Sequence, residues 1–266
     1  MQVIVENAVN LLDMSYIQDI LPINPKVISE AGFQGVYVKS SQYSSTADLK
    51  FTSLTDRLRD AGLRVGAYHF CAHDSDPIRQ AEFFFRAARG IGSKPGELPP
   101  MADWEHCTPS FYQDHPEHCV QWLEKFVGRC DELWYPNNNN SIKPRFTVVY
   151  TFPNYASTHQ PALSGSTSLG KRPLCFASYK SGPDGKEMPY IPALHEVPYH
   201  KTPRPWTKPM LVQYSGSRGA KVPGVQVPCD RQVFTGSVQE FDEFCGLGRP
   251  VESNIQDAAV DTLDRK

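Results

Sequence analysis

The feature that most constrains this fold is a rhythm. Short apolar runs end on a polar or aromatic side chain, and a helix-length stretch separates each from the next. The runs are Val9–Ser15, Gly35–Ser40, Arg64–Phe70, Met101–Glu105, Arg145–Thr151, Leu174–Tyr179 and Met210–Ser215. The intervening stretches carry helix signals. A helical segment closes at Ala31-Gly32, and Phe51, Leu54, Leu58 and Ala61 recur at helical spacing within Leu49–Gly62. Asp76 before Pro77 is an N-cap with proline at the first helical position, opening a helix through Ala88. Glu117–Leu133 forms another helix, followed by a polar loop tip at Asn137–Asn140.

Strands alternating with helices build a parallel sheet. An open doubly wound sheet would place a glycine-rich phosphate turn after its first strand. This chain has Asp13-Met14-Ser15-Tyr16 there. Some seven strands within 266 residues fit a closed barrel, a fold that commonly takes about 250 residues. The expected fold is therefore α/β, a single β/α TIM-like barrel, irregular or incomplete, with long loops. Pro183–Pro209 holds seven prolines and little periodicity, and is expected to be an ordered loop. The barrel domain is expected over residues 1–246, with 247–266 as a polar tail.

Composition narrows the function. With 27 Lys+Arg against 29 Asp+Glu the net charge is −2, so no basic field favours nucleic acid. No apolar run approaches the ~18 residues of a membrane span, and no Lys/Arg-led apolar start resembles a signal peptide. Neither a membrane partner nor ordinary secretion is expected. Seven scattered cysteines without a CxxC pair are expected to be reduced thiols, not a disulfide framework.

Barrel chemistry sits at the C-terminal ends of the strands. Those ends carry Asp13, Asp103 and Glu105, and Asp230 after Val225–Cys229, together with Lys39, His69, Tyr179 and Gln213. Asp103 and Glu105 are the sharpest feature. Two residues apart on a strand they share a face, with Cα atoms roughly 6.5–7 Å apart. Like charges that close raise the proton affinity of one of them. The result is an acid beside an anion, the pairing that glycoside hydrolysis needs.

At these residues the chain resembles glycoside hydrolase family 25, the Chalaropsis-type lysozymes common among phage endolysins. The pieces recur in order over about residues 9–244: Leu-Leu-Asp-Met-Ser at Asp13, Val36-Tyr37-Val38-Lys39, Gly66-Ala67-Tyr68-His69-Phe70, Gln80-Ala81-Glu82-Phe83-Phe84, and Leu98-Pro99 before Asp103-Trp104-Glu105. Val149-Tyr150-Thr151, Ala177-Ser178-Tyr179, Gln213-Tyr214-Ser215 and Pro223-Gly224-Val225 with Asp230 follow. Three positions depart from the family pattern. Ser40-Ser41-Gln42 follows Lys39 in place of a Glu-Gly element, Cys175 stands where Trp is usual, and Asp230-Arg231-Gln232 replaces Asp-x-Asn.

The resemblance implies cleavage of the β-1,4 bond between N-acetylmuramic acid and N-acetylglucosamine in bacterial peptidoglycan, with no cofactor or metal. It makes Glu105 the general acid, with Asp103, Asp13 and Asp230 completing an acidic cleft. Tyr68, Tyr150, Tyr179, Gln213 and Lys39 would bind substrate. It further implies retention with help from the substrate's N-acetyl group, which Asp103 would orient, although spacing alone leaves retaining and inverting outcomes open. A phage-like protein made in a bacterial host cytoplasm would reach the wall after release or by delivery, with a phage or delivery-particle partner engaged through the tail.

Two other readings compete. One is a weak or inactive glycan-binding or virion structural module. The other is a zinc-dependent amidase using His106-Cys107 and His115-Pro116-Glu117-His118-Cys119, although neither finger spacing nor HExxH is present. His69 is expected to be a hydrogen-bonding residue, and Phe83-Phe84-Phe85 to pack in the core.

Overall fold

The computed structural model describes residues 4–73, 75–106, 115–138, 144–182, 191–216 and 221–248. In chain order the strands are β1 (Val9–Met14), β2 (Phe33–Gln42), β3 (Thr46–Ala47), β4 (Arg64–Phe70), β5 (Met101–Asp103), β6 (Val148–Thr151), β7 (Leu174–Ala177), β8 (Leu211–Ser215) and β9 (Asp230–Phe234). The helices are α1 (Pro25–Glu30), α2 (Phe51–Asp60), α3 (Pro77–Ala87), α4 (Pro116–Trp134), α5 (Pro153–Thr158), α6 (Gln160–Gly165) and α7 (Val238–Phe244).

Eight of the nine strands close into a ring in the order β1-β2-β4-β5-β6-β7-β8-β9, and β3 hangs on the outer end of β2. Neighbours from β1 through β8 run parallel, while β9 runs antiparallel to both β8 and β1. The fold is thus mixed α/β around a closed barrel. The expected barrel, irregular or incomplete, needs one correction. β9, which the sequence reading did not identify as a strand, closes the ring in the opposite direction. Among the described residues of the β7–β8 connection, where a loop is expected, Leu194–Glu196 forms one turn of 3-10 helix. Prolines along that connection lack the N–H and fix φ, which prevents a helix from propagating. Residues 183–190 of the expected loop, 139–140 of the loop tip and 249–266 of the expected tail lie outside the described residues. Among the described residues no helix is long and apolar enough to cross a membrane.

Local sequence explains the elements that position the site. Asp76 Oδ1 accepts from Arg79 N at 2.9 Å and Pro77 opens α3, as the capping pattern predicts. Phe51, Leu54 and Leu58 turn the buried face of α2 toward the sheet. Alternation along the strands divides the core in two. Val9, Leu11, Tyr37, Tyr68, Met101, Val148, Tyr150, Cys175, Ala177, Leu211 and Phe234 fill the barrel. Leu12, Val36, Val38, Val65, Ala67, Ala102, Val149 and Phe176 face the helices. Phe84 packs in that outer core against Phe126 and Trp134, and Phe85 lies edge-on to Trp134. All six described cysteines are buried free thiols, and Cys107 lies outside the described residues.

Gly66, inside the barrel, tests how tightly this interior is packed. A Cβ there would lie 2.7 Å from Leu98 Cβ and 2.7 Å from Tyr37 Cε1. Gly66→Ala is expected to cost about 1–3 kcal/mol through overpacking. Thermal unfolding checks this, at roughly 2–4 °C of Tm per kcal/mol for a chain of this size.

Candidate active site

The same alternation gathers the candidate residues at one end of the barrel. In β1, Val9, Leu11 and Asp13 share the inward face; in β5, Met101 and Asp103 do. Lys39 of β2, Tyr68 of β4, Tyr150 of β6 and Gln213 of β8 have the same parity, and Tyr179 continues that of Cys175 and Ala177 past the end of β7. Asp230 reaches this end differently from the sequence reading. Val225–Cys229 is not a strand; Asp230 is the first residue of β9, and antiparallel β9 starts where the parallel strands stop. Asp230 is therefore the direct cross-strand partner of Asp13.

Two carboxylates placed directly opposite repel each other. Two glutamines answer them: Gln232 Nε2 donates to Asp13 Oδ2 at 3.3 Å, and Gln213 Nε2 donates to Asp230 Oδ2 at 3.2 Å and lies 2.6 Å from the Tyr179 hydroxyl. Burial raises the Asp13 pKa well above its ordinary value, and the charges of Asp230 and Glu105 add to the rise. A hydrogen bond from Tyr68 and the charge of Lys39 oppose it. Lys39 Nζ donates to Gln42 Oε1 at 2.7 Å and sits 4.9 Å from the Phe70 ring centroid.

Asp103 ends β5, so the premise that Asp103 and Glu105 share one strand does not hold. One further sheet bond, Trp104 N to Tyr150 O at 2.9 Å, carries the pairing past the strand end. Asp103 is 8% exposed, and its Oδ1 is buried without a hydrogen-bond partner. Its pKa is raised well above the ordinary value by burial, then by the neighbouring Glu105 and Asp13. Glu105, half-buried, is raised by burial, while Lys39, His106 and a hydrogen bond from Tyr150 pull it down. Burial, and not the like-charge repulsion expected from the spacing, is the largest cause of the rise for both acids.

His69 points the other way. Its imidazole is buried against Phe84 and Phe126 among the helices, bonded to Ser41 Oγ at 2.9 Å and Gln80 Oε1 at 3.0 Å, and burial holds its pKa down at about 4. It is a structural residue. Sequence reasoning missed Gln232 and Gln42 as partners of Asp13 and Lys39. It also missed His73, which contacts the residues on both sides of Glu105: Trp104 Nε1 donates to His73 Nε2 at 2.8 Å, and His73 Nδ1 lies 3.1 Å from His106 O. Strand parity offered a signal for Gln232, two residues after Asp230; a lone histidine in a loop offered none.

Of the histidines considered as zinc ligands, His115 and His118 gather with Glu117, their ligand atoms within 4.8 Å of one another. These three lie at the start of α4, partly or fully exposed, and none of the four acids belongs to the group. Cavity size does not locate the chemistry either. A cavity of about 810 Å³ lined by Glu6, Ile191, Leu194, His195 and Thr235 includes none of the four acids, and one of about 570 Å³ lined by Arg145, Arg172, Trp206, Phe234 and Phe244 opens at the end of the barrel where the parallel strands begin, opposite the acids. The acids' placement and proton affinity make the other end the candidate site.

Comparison with known proteins bears on the family and the fold. The model of the family described as glycosyl hydrolases family 25 matches residues 12–217, a span that includes Asp13, Asp103 and Glu105 and stops before Asp230. The chain is 26% identical over 230 residues to lysozyme M1 of Streptomyces globisporus, covering 85% of this chain and 67% of that protein. Its fold resembles the lysozyme of Streptomyces coelicolor, with a TM-score of 0.70 and 22% identity, covering 91% of this chain and 100% of the other. It likewise resembles a family GH25 lysozyme of Aspergillus fumigatus, with a TM-score of 0.67 and 24% identity, covering 90% and 99%.

Buried acids with raised pKa values lower stability where they must ionise. The folded chain binds the Asp103 proton more tightly than the unfolded chain. Its stabilising contribution is therefore complete below the ordinary aspartate pKa of about 3.9 and is lost as pH rises through the folded value. Asp103→Asn is expected to raise Tm at neutral pH, by about 2–4 °C for each kcal/mol relieved, with the gap closing in acid. A variant that melts lower than wild type at neutral pH would contradict this.

Proposed function

The chain belongs to glycosyl hydrolases family 25, and on that premise we propose that it is a peptidoglycan hydrolase of the lysozyme type, an N-acetylmuramidase. Its bond is the β-1,4 linkage between N-acetylmuramic acid and N-acetylglucosamine. One observation carries the assignment of roles: four carboxyl groups converge on one barrel mouth, and burial raises the proton affinity of Asp13, Asp103 and Glu105.

Glu105 is the general acid. Its raised pKa keeps the carboxyl protonated where an ordinary glutamate has ionised, and a hydrogen bond from Tyr150 orients it. As the C1–O bond breaks, the Glu105 proton passes to the leaving oxygen and positive charge grows at C1. Asp103, with Oδ1 unpartnered, faces that charge or the N–H of the substrate acetamide. Water then adds at C1 and returns a proton to Glu105. Asp13 and Asp230, facing each other, complete the acidic cleft with Gln213 and Gln232 as donors. Tyr68, Tyr150 and Tyr179 supply apolar faces with hydroxyl edges for sugar rings, and Lys39 balances the negative field.

The proposal assigns residues 1–246 to the hydrolase domain, built as a β/α barrel of reduced helix content. Residues 247–266 are left as a tail through which a phage or delivery particle could be engaged, the protein acting on the wall after release from a bacterial host cytoplasm.

Digestion of purified peptidoglycan with mass spectrometry of the soluble products tests the assignment. Wild type should release disaccharide-peptides ending in reducing N-acetylmuramic acid, and Glu105→Gln should lose about 10²–10⁴-fold in rate. Full activity in Glu105→Gln would remove Glu105 from the acid role, and free peptides with uncut glycan would indicate an amidase. In the wild type the rate should fall as pH rises through the raised Glu105 pKa. A rate unchanged from mildly acidic to strongly basic pH would count against it.

A further inference from the structure

Beyond the four acids, we propose that His73 is a positioning residue for Glu105, one imidazole fastening the chain on both sides of the acid. The inference rests on Glu105 being the acid, and its test keeps the two claims separable.

β5 stops at Asp103, and the bond from Trp104 N to Tyr150 O is the last rung past it. Glu105 and His106 lie beyond the ladder, on a backbone that no strand pairing holds. His73 sits on the loop after β4 and is 1% exposed. Trp104 Nε1 donates to its Nε2 at 2.8 Å, and the indole can only donate. Nε2 is therefore the unprotonated nitrogen, and the proton of a neutral ring sits on Nδ1. From there it is donated to the carbonyl of His106 at 3.1 Å. Both bonds require the same neutral tautomer, so the clamp is self-consistent. An imidazolium would lose the bond from Trp104.

The surroundings fix the ring. Trp122 of α4 packs on His73 at 4.7 Å between centroids and donates to Ser75 O at 2.8 Å, which ties the loop to the helix. Trp104 is held edge-on to Tyr155 at 4.7 Å and lies 4.9 Å from the His159 ring. Burial, with His159 and His106 nearby, holds the His73 pKa down at about 4, so the ring is neutral above that value. The groups facing Glu105 itself are Asp103, Asp13, Tyr68, Tyr150, Lys39 and His106; none of them substitutes for the bond from Trp104 to His73. A general acid works only within hydrogen-bond reach of its oxygen, so a carboxyl released by about 1 Å loses rate while substrate binding is left in place.

The test uses steady-state hydrolysis of solubilised peptidoglycan chains by the full chain. His73→Phe keeps an aromatic ring but removes both hydrogen bonds. It should lower kcat by roughly 10–100-fold with KM little changed and move the alkaline limb of the pH–rate profile. His73→Gln, which can accept from Trp104 and donate to His106 O, should restore much of the rate. Trp104→Phe removes the same hydrogen bond from the other side, and the double variant with His73→Phe should be no worse than the poorer single variant. If His73→Phe fails to fold, Trp104→Phe with its own pH profile carries the test. Wild-type kcat in either phenylalanine variant overturns the proposal. So does a parallel fall of kcat, substrate affinity and Tm that glutamine does not rescue, which would leave His73 a purely structural residue. Full activity in Glu105→Gln refutes the acid assignment instead, whatever His73 does.

Discussion

Strand alternation, closed into a ring, is the constraint on which the mouth depends. A strand sends every second side chain inward, so an acid whose parity matches a buried Leu11 or Met101 has no direction but the barrel interior. Closure by antiparallel β9 adds an acid that a wholly parallel ring would have carried at the end of a strand. Asp230 enters at the start of β9, opposite Asp13. One geometric rule and one reversed strand thus bring together acids separated by more than two hundred residues of chain. A slip of one residue in β1 would turn Asp13 out toward the helices and Leu12 into the mouth.

The arrangement runs against stability. Asp13, facing Asp230, and Asp103, buried beside Glu105, hold protons more tightly than they would in water, and the dominant cause is removal from solvent. Asp103 Oδ1, Gln213 Oε1 and Gln232 Oε1 are buried without hydrogen-bond partners, and all three belong to the mouth. These three oxygens are acceptors that the donors of a bound substrate can meet. The apolar fill of the lower barrel and the aromatic layer of Phe84, Phe126 and Trp134 outside it compensate. Buried side chains of that size each contribute roughly 1.5–3 kcal/mol.

Much of this was legible in the sequence because it rests on local rules. Arg64–Phe70 is a strand with the expected ends, and Asp76-Pro77 caps α3 as its residue types dictate. The acids were found by reading strand ends, and the structure puts all four at one end of the barrel. What escaped has a common physical cause, since it depends on partners far away in sequence. Asp230–Phe234 contains two charged residues and one uncharged polar residue among five, and it is a strand because β1 and β8 leave a gap there. The expected strand reached Glu105, but pairing stops at Asp103, and Trp104 and His73 hold the next residues. Short α5 and α6 carry weak helix signals and form against the outer core.

The measurement that bears most directly on the account is a titration of the side-chain carboxyls by carbon-13 NMR, with the signals of Asp13, Asp103 and Glu105 assigned from single amide substitutions. The account predicts that Asp13 and Asp103 lose their protons well above the ordinary aspartate value of about 3.9, and Glu105 above the ordinary glutamate value of about 4.3. Three carboxyls titrating at or below those values would contradict it, because no group at the mouth would then hold a proton for the leaving oxygen at neutral pH.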